Sequence, residues 1–173
     1  MSASCARPAE NASVATDTHQ PITDDATTAE TFWRRPMERV ANCHCGSLRA
    51  TTRGEPLLVA ICHCRAGQQR TGSVAASVAG FEKDKVRIDG ETKSYSRPGG
   101  SGQAVHFQFC PSCGTSLYWE AEGRPGLYIL AVGSFADPSF PSPSISIFEA
   151  SKHYWLQLPT GVKRFQGAMK SSS

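Results

Sequence analysis

Six of the chain's seven cysteines fall into three close pairs: Cys43 with Cys45, Cys62 with Cys64, and Cys110 with Cys113. Thiolates so close in sequence bring two sulfurs to one ion with little chain between them. Zinc takes four such ligands in a closed structural site, or three and an open position in a catalytic one. In Cys110-Pro111-Ser112-Cys113-Gly114 two intervening residues let both sulfurs face one ion. The glycine that follows suits the positive φ of such a tight turn. Cys43-His44-Cys45-Gly46 offers two more sulfurs in the same style. A structural zinc held by Cys43, Cys45, Cys110 and Cys113 is therefore expected, against the plainer alternative of buried free thiols. It would tie the start of the core to its middle strand.

The second cluster runs from Cys62-His63-Cys64 through Gly67, Gln68 and Arg70 to Thr71-Gly72-Ser73. Two thiolates fill half of a zinc shell. On an extended chain Cys62 and Cys64 share one face and His63 points to the other. His44, His106 or a bound thiol could complete the shell from elsewhere; the alternative is a metal-free pair of reduced thiols. Thr71, Gly72 and Ser73 form a candidate substrate-facing loop, since Gly72 permits close backbone approach and the two hydroxyls can hydrogen-bond. The alternative there is an ordinary turn.

Short strands must position these groups. Leu57 to Ile61 is an apolar run leading straight into Cys62, and Val105, Phe107 and Phe109 alternate with polar residues up to Cys110. Val86-Arg87-Ile88, the turn Asp89-Gly90 and Thr92 to Ser96 predict a hairpin. Leu117 to Trp119, Leu127 to Val132 and Ile145 to Phe148 predict further strands. No window shows sustained helical periodicity, and Pro138, Pro141, Pro143 and Pro159 break the last third. The expected class is mainly β: a small zinc-stapled sheet fold over residues 32–166, with disordered ends at 1–31 and 167–173. Cys5 and His19 fall in the first of these, and packing begins at Phe32 and Trp33. Phe109, Trp119 and Trp155 are expected in the core rather than in a pocket, and His153 has no partner that the sequence identifies.

With 173 residues and 39% apolar content, the chain suits one domain with one core. A net charge of +3 without a run of like charges argues against nucleic acid as a partner. No stretch approaches 18 apolar residues, so no membrane span is expected. The first residues lack a secretory pattern, and Glu10, Asp17, Asp24, Asp25 and Glu30 are too acidic for a transit peptide. A cytoplasmic location is expected, where paired cysteines read as metal ligands before disulfides. The oligomeric state is not legible.

The order C-x-C-G, then C-H-C through T-G-S, then F-C-P-S-C-G resembles the family of glutathione-dependent formaldehyde-activating enzymes, a pattern shared with the centromere protein V domain. Gly133-Ser134-Phe135-Ala136-Asp137 and Lys152-His153-Tyr154-Trp155 resemble its later motifs, so the likeness runs from about residue 40 to 166. It implies a β-rich fold stapled by a structural zinc on Cys43, Cys45, Cys110 and Cys113. It further implies that Cys62 and Cys64 are two of three ligands of a catalytic zinc; the third cysteine position is Gly67. The implied reaction is that of a zinc-dependent carbon–sulfur lyase, joining glutathione as co-substrate to formaldehyde or a related small carbonyl compound. Gly67 implies that this activity is impaired. The partners would be a small thiol and an aldehyde. The alternatives are a non-catalytic, zinc-stabilised binding module and a lyase or transferase for another thiol or carbonyl compound.

Overall fold

The computed structural model describes residues 37–169. The expected tail over 1–31, with Cys5 and His19, and the start of packing at Phe32 and Trp33 lie outside these residues. The first strands are β1 (Glu38–Asn42), β2 (Arg49–Arg53) and β3 (Leu58–Cys62), followed by one short helix, α1 (Arg65–Thr71). Then come β4 (Ala76–Glu82), β5 (Val86–Asp89), β6 (Lys93–Pro98), β7 (Ala104–Phe109) and β8 (Ser116–Ala121). β9 (Leu127–Ala131), β10 (Ile145–Ile147) and β11 (Lys163–Arg164) complete the set. The class is mainly β, as expected. No helix among the described residues is long and apolar enough to cross a membrane.

The strands form two sheets. The smaller has the order β1-β2-β5; the larger has eight strands in the order β11-β10-β3-β4-β9-β8-β7-β6. Neighbours are antiparallel except where β10 lies parallel to β3, with Ser146 beside Ile61, and where β11 lies parallel to β10.

Side-chain alternation gives the large sheet two apolar faces. Val59, Phe81, Tyr118 and Leu130 point toward the small sheet and meet Leu48 and Ala50 in one core. Leu58, Ala60, Val78, Phe107 and Trp119 line the other face, and Cys62 packs among them. The strand leading into the second cysteine cluster thus places Cys62 on the face that carries Phe107 and Trp119.

The predicted hairpin across Asp89-Gly90 does not form. β5 pairs with β2, Ile88 opposite Ala50, while β6 pairs with β7, Ser96 opposite His106. Val86 and Ile88 pack against the core between the sheets, whereas β6 has one large apolar residue, Tyr95, and that one is exposed. The turn therefore carries the chain from one sheet to the other. Gly90 makes the passage at φ +106, where a Cβ would stand 2.1 Å from Ser47 O. Two further expectations are corrected. A helix exists after Cys64, but its seven residues are too few to leave a periodic pattern. Trp155 is exposed rather than in the core, as is its neighbour Tyr154.

Gly90→Ala should lower unfolding free energy by more than about 2 kcal/mol, because it adds a steric clash to a left-handed backbone. Chemical denaturation of the two proteins checks this; equal midpoints would contradict the tight crossing.

Candidate functional site

Two hairpin-like turns build the first cysteine cluster. Cys43 and Cys45 follow β1, and the chain turns at Gly46, whose N–H donates to Cys43 O at 3.0 Å and whose φ is +80. Cys110 and Cys113 lie between β7 and β8, where Gly114 does the same: its N–H donates to Cys110 O at 2.9 Å, at φ +72. The His44 N–H donates to Thr115 Oγ1 at 3.1 Å and links the two turns.

The four sulfurs all lie within 4.8 Å of one another. Cys45 Sγ is 3.5 Å from Cys43 Sγ and 3.6 Å from Cys110 Sγ. Four Zn–S bonds of about 2.3 Å in a tetrahedron separate sulfurs by about 3.8 Å, so the donor set fits zinc in number, type and spacing. Its electrostatics fit as well. Burial raises the Cys43 thiol, but the Leu48 N–H and neighbouring thiols and hydroxyl outweigh it and the net shift is downward. Hydrogen bonds from Thr115 hold Cys113 down at about 5. Ser47 favours the Cys45 thiolate, yet adjacent Cys43 and Cys113 push that thiol up overall. Crowded thiolates of this kind call for a cation.

The second cluster lies where β3 gives way to α1. Cys64 is the residue capping the helix; its Sγ accepts from Gly67 N–H at 3.2 Å. The nearby Cys62 thiol is the main reason the Cys64 thiol falls to about 6, and Cys64 in turn pushes the Cys62 thiol up. Burial opposes the fall, and Gly67 N–H, Arg97 and Arg70 add to it. A Cβ built at Gly67 would stand 3.0 Å from Cys64 Sγ, so this position faces the pair but supplies only its backbone.

Among the described residues, the four-thiol cluster is the one group of three or more metal-ligating side chains close enough to share an ion. His44 belongs to that cluster's turns, and His106 faces Ser96 Oγ at 2.8 Å and Glu122 Oε1 at 3.6 Å. Neither completes the second pair. Two thiols do not fit a resident zinc of the three-thiolate kind.

His63 points away from both sulfurs, as the strand's alternation requires, and is fully buried. Ser146 Oγ donates to Glu149 Oε1 at 2.7 Å and so accepts from His63 Nε2 at 3.1 Å. That leaves Nδ1 as the unprotonated nitrogen, buried without a partner. Burial holds this imidazole below its ordinary range, against the pull of Glu149. Gln68 Nε2 donates to His63 O at 2.8 Å and to Ser151 O at 3.0 Å, and Gln68 Oε1 lies 3.2 Å from His153 Nε2. These contacts tie α1 and the Cys62–Cys64 bend to the segment after β10. They also give His153 the partner that sequence could not identify.

Thr71, Gly72 and Ser73 end the helix at the exposed surface. Thr71 Oγ1 donates to Gly67 O at 2.8 Å, and Gly72 is the left-handed residue closing the last turn at φ +67. Two surface clefts, of about 260 and 180 Å³, lie away from every cysteine. The residues that sequence reasoning missed are Ser146, Glu149 and Arg97. Nothing local marks the first two, because their roles come from strand pairing across more than 80 residues.

Cys110→Ser, or a strong zinc chelator, should lower the melting temperature by at least about 10 °C, since the ion's binding energy is part of the folding energy. Calorimetry with zinc analysis checks this. In thiol-free protein, alkylation of Cys64 by iodoacetamide should rise with pH around a midpoint near 6, because its thiolate is lost as pH falls through that value. Cys62 should lag far behind. Equal midpoints above pH 8, mapped by mass spectrometry, would contradict the opposite shifts of the two thiols.

The sequence model described as glutathione-dependent formaldehyde-activating enzyme matches residues 38–151. No curated protein matches the chain. Among solved structures, the crystal structure of a Rhodobacter sphaeroides protein is similar at 21% identity and a TM-score of 0.44, covering 57% of this chain and 91% of that one. The matched region holds both cysteine clusters in the order that the resemblance implied, and the chain belongs to the family of glutathione-dependent formaldehyde-activating enzymes.

Proposed function

We propose that the chain promotes the reversible addition of a thiol to formaldehyde or a related small carbonyl compound, at an efficiency reduced by Gly67. The thiol would be glutathione, the product S-(hydroxymethyl)glutathione, and the reaction that of a cytoplasmic carbon–sulfur lyase. The observation that carries this reading is the Cys62–Cys64 pair facing position 67, within a segment that otherwise keeps the family's pattern.

In the addition, a C–S bond forms and the carbonyl π pair moves to oxygen. Oxygen then takes the proton that the thiol gives up. The chain's part is to hold the two reactants together, which raises their effective concentration. Zinc on Cys43, Cys45, Cys110 and Cys113 would maintain the scaffold and stand apart from the reaction. Cys62 and Cys64 are the residues toward which a second ion would go, and it would stay only while an added thiol supplies further sulfur.

Gly67 equally favours a second reading, a zinc-stabilised binding module without catalysis. One experiment separates the two. Elemental analysis of thiol-free protein should give one zinc per chain, rising to two in Gly67→Cys. Exchange of formaldehyde with glutathione, followed by NMR, should quicken at least tenfold in that variant. Two zinc ions with unchanged exchange would support the binding module. Two zinc ions in the thiol-free parent would overturn the half-set site.

A further inference from the structure

We propose that Phe148 and the tip of the β6–β7 hairpin form a gate over the Cys62–Cys64 pair, which decides by size what reaches the sulfurs. Its part in selecting substrates rests on the thiol-addition reading above.

The large sheet wraps around this pair. Four strands stand between β7 and β10, so on a flat sheet the two would be at least about 24 Å apart. Yet a Cβ at Gly100, in the tip that joins β6 to β7, would lie 3.1 Å from Phe148 Cζ and 3.3 Å from its Cε1, just past β10. The twist of the sheet has brought its two sides together. The enclosed face is the one that carries Cys62, because Val105 of β7 and Ile145 of β10 pack against the same cluster as Cys62, around Phe107 and Trp119. Gly99 is seated on that side, since a Cβ there would stand 3.1 Å from Val105 Cγ2. Arg97, two residues earlier, lays its guanidinium carbon 5.5 Å from the Phe107 ring centroid.

The seam lies beside the cysteines. Ile147 pairs with Cys62 and its O accepts from His63 N–H at 3.0 Å, and Phe148 is the next residue along. The backbone of Phe148 is left-handed, at φ 58 and ψ 40, a conformation that is costly for a residue with a side chain and gathers at ligand clamps and switches. Two hydrogen bonds hold it there. Phe148 N–H donates to Gly167 O at 3.0 Å, and Phe148 O accepts from Ser151 N–H at 3.0 Å. The ring is thus carried on a fixed post.

The tip is not tied to that post. Gly99 N–H donates to Gln103 O at 2.7 Å and Gly102 N–H to Gly99 O at 3.1 Å, both within the hairpin. Among the described residues, no hydrogen bond joins residues 99–103 to residues 144–152. Gly99, Gly100 and Gly102 leave the tip free to swing. A fixed aromatic post meeting a glycine-rich flap through ring contact alone has the build of a lid. Gly100 is exposed and Phe148 half-buried, so the seam opens to solvent, while Cys62 and Cys64 stay half-buried behind it.

The test is alkylation of the full chain, without added thiol, by iodoacetamide and by the bulky N-(1-pyrenyl)maleimide. Rates at Cys64, mapped by mass spectrometry, are divided by those of N-acetylcysteine at the same pH, so that access alone is compared. An open conformer populated at about 10% or less slows a reagent that needs it by about tenfold or more. In the parent the maleimide should therefore be disfavoured against iodoacetamide by at least about tenfold. Phe148→Ala, which keeps the backbone path but removes the ring, should abolish that difference, and Phe148→Tyr should retain it. Equal relative rates in the parent, or a difference unchanged in Phe148→Ala, would overturn the gate. Unfolding of Phe148→Ala would show as alkylation of buried Cys110. Phe148→Leu, a smaller trim, then decides by the same ratio.

Formaldehyde exchange with glutathione separates the gate from the reaction it serves. A size difference lost in Phe148→Ala, with no exchange by any variant, would keep the gate and discard the lyase. Exchange by the parent beside equal relative alkylation rates would overturn the gate and keep the lyase.

Discussion

The fold depends on four sulfurs held within one ion's reach. Cys43 and Cys45 belong to a three-stranded sheet of strands no longer than five residues, and Cys110 and Cys113 to the end of a hairpin in the eight-stranded sheet. The apolar face of so small a sheet is narrow. Its apolar contribution to the shared core is largely Ala41, Leu48, Ala50, Val86 and Ile88, a modest burial. Metal–sulfur bonds joining its first turn to the other sheet would supply what packing there does not. The glycine turns at Gly46 and Gly114, the Leu48 N–H and the Thr115 hydroxyl all serve to aim sulfur at one point.

The second cluster is organised differently. Among the described residues no third metal-ligating side chain joins its two sulfurs, and Gly67 offers Cys64 only its backbone N–H. Its geometry comes from hydrogen bonds around it. Gln68 binds the carbonyls on both sides, and His63 anchors the bend through Ser146 and Glu149. A rigid frame around an under-filled centre keeps the pair in place without the help of an ion.

Sequence disclosed the sites more fully than the fold. Cysteine spacing is a local property that survives folding, so the four-thiol set could be read directly, whereas the missing cysteine at Gly67 was implied only by the family resemblance. β7 was equally plain, because Val105 and Phe107 alternate with polar neighbours. Asp89-Gly90 misled because a turn residue fixes only the local dihedral; which strands pair across it is decided by what Val86 and Ile88 can bury. The parallel pairing of β10 with β3 involves a three-residue strand and partners more than 80 residues apart, beyond the reach of any window. His63, Ser146 and Glu149 become one chain only through that pairing. Trp155 could not be placed because an aromatic near the end of the chain looks alike in a core or on a surface.

Sixty-four residues lie between the two halves of the four-thiol set, from Cys45 to Cys110. Cys62 and Cys64 lie between them. During synthesis, therefore, the first thiols to emerge after Cys43 and Cys45 are those of the other cluster, and an ion captured early has that pair as its earliest partner. The correct set becomes available only when β7 and the turn after it leave the ribosome. A cysteine at position 67 would strengthen the early, wrong assembly by one ligand. With glycine there, the nascent chain has less to undo before its sheets are joined.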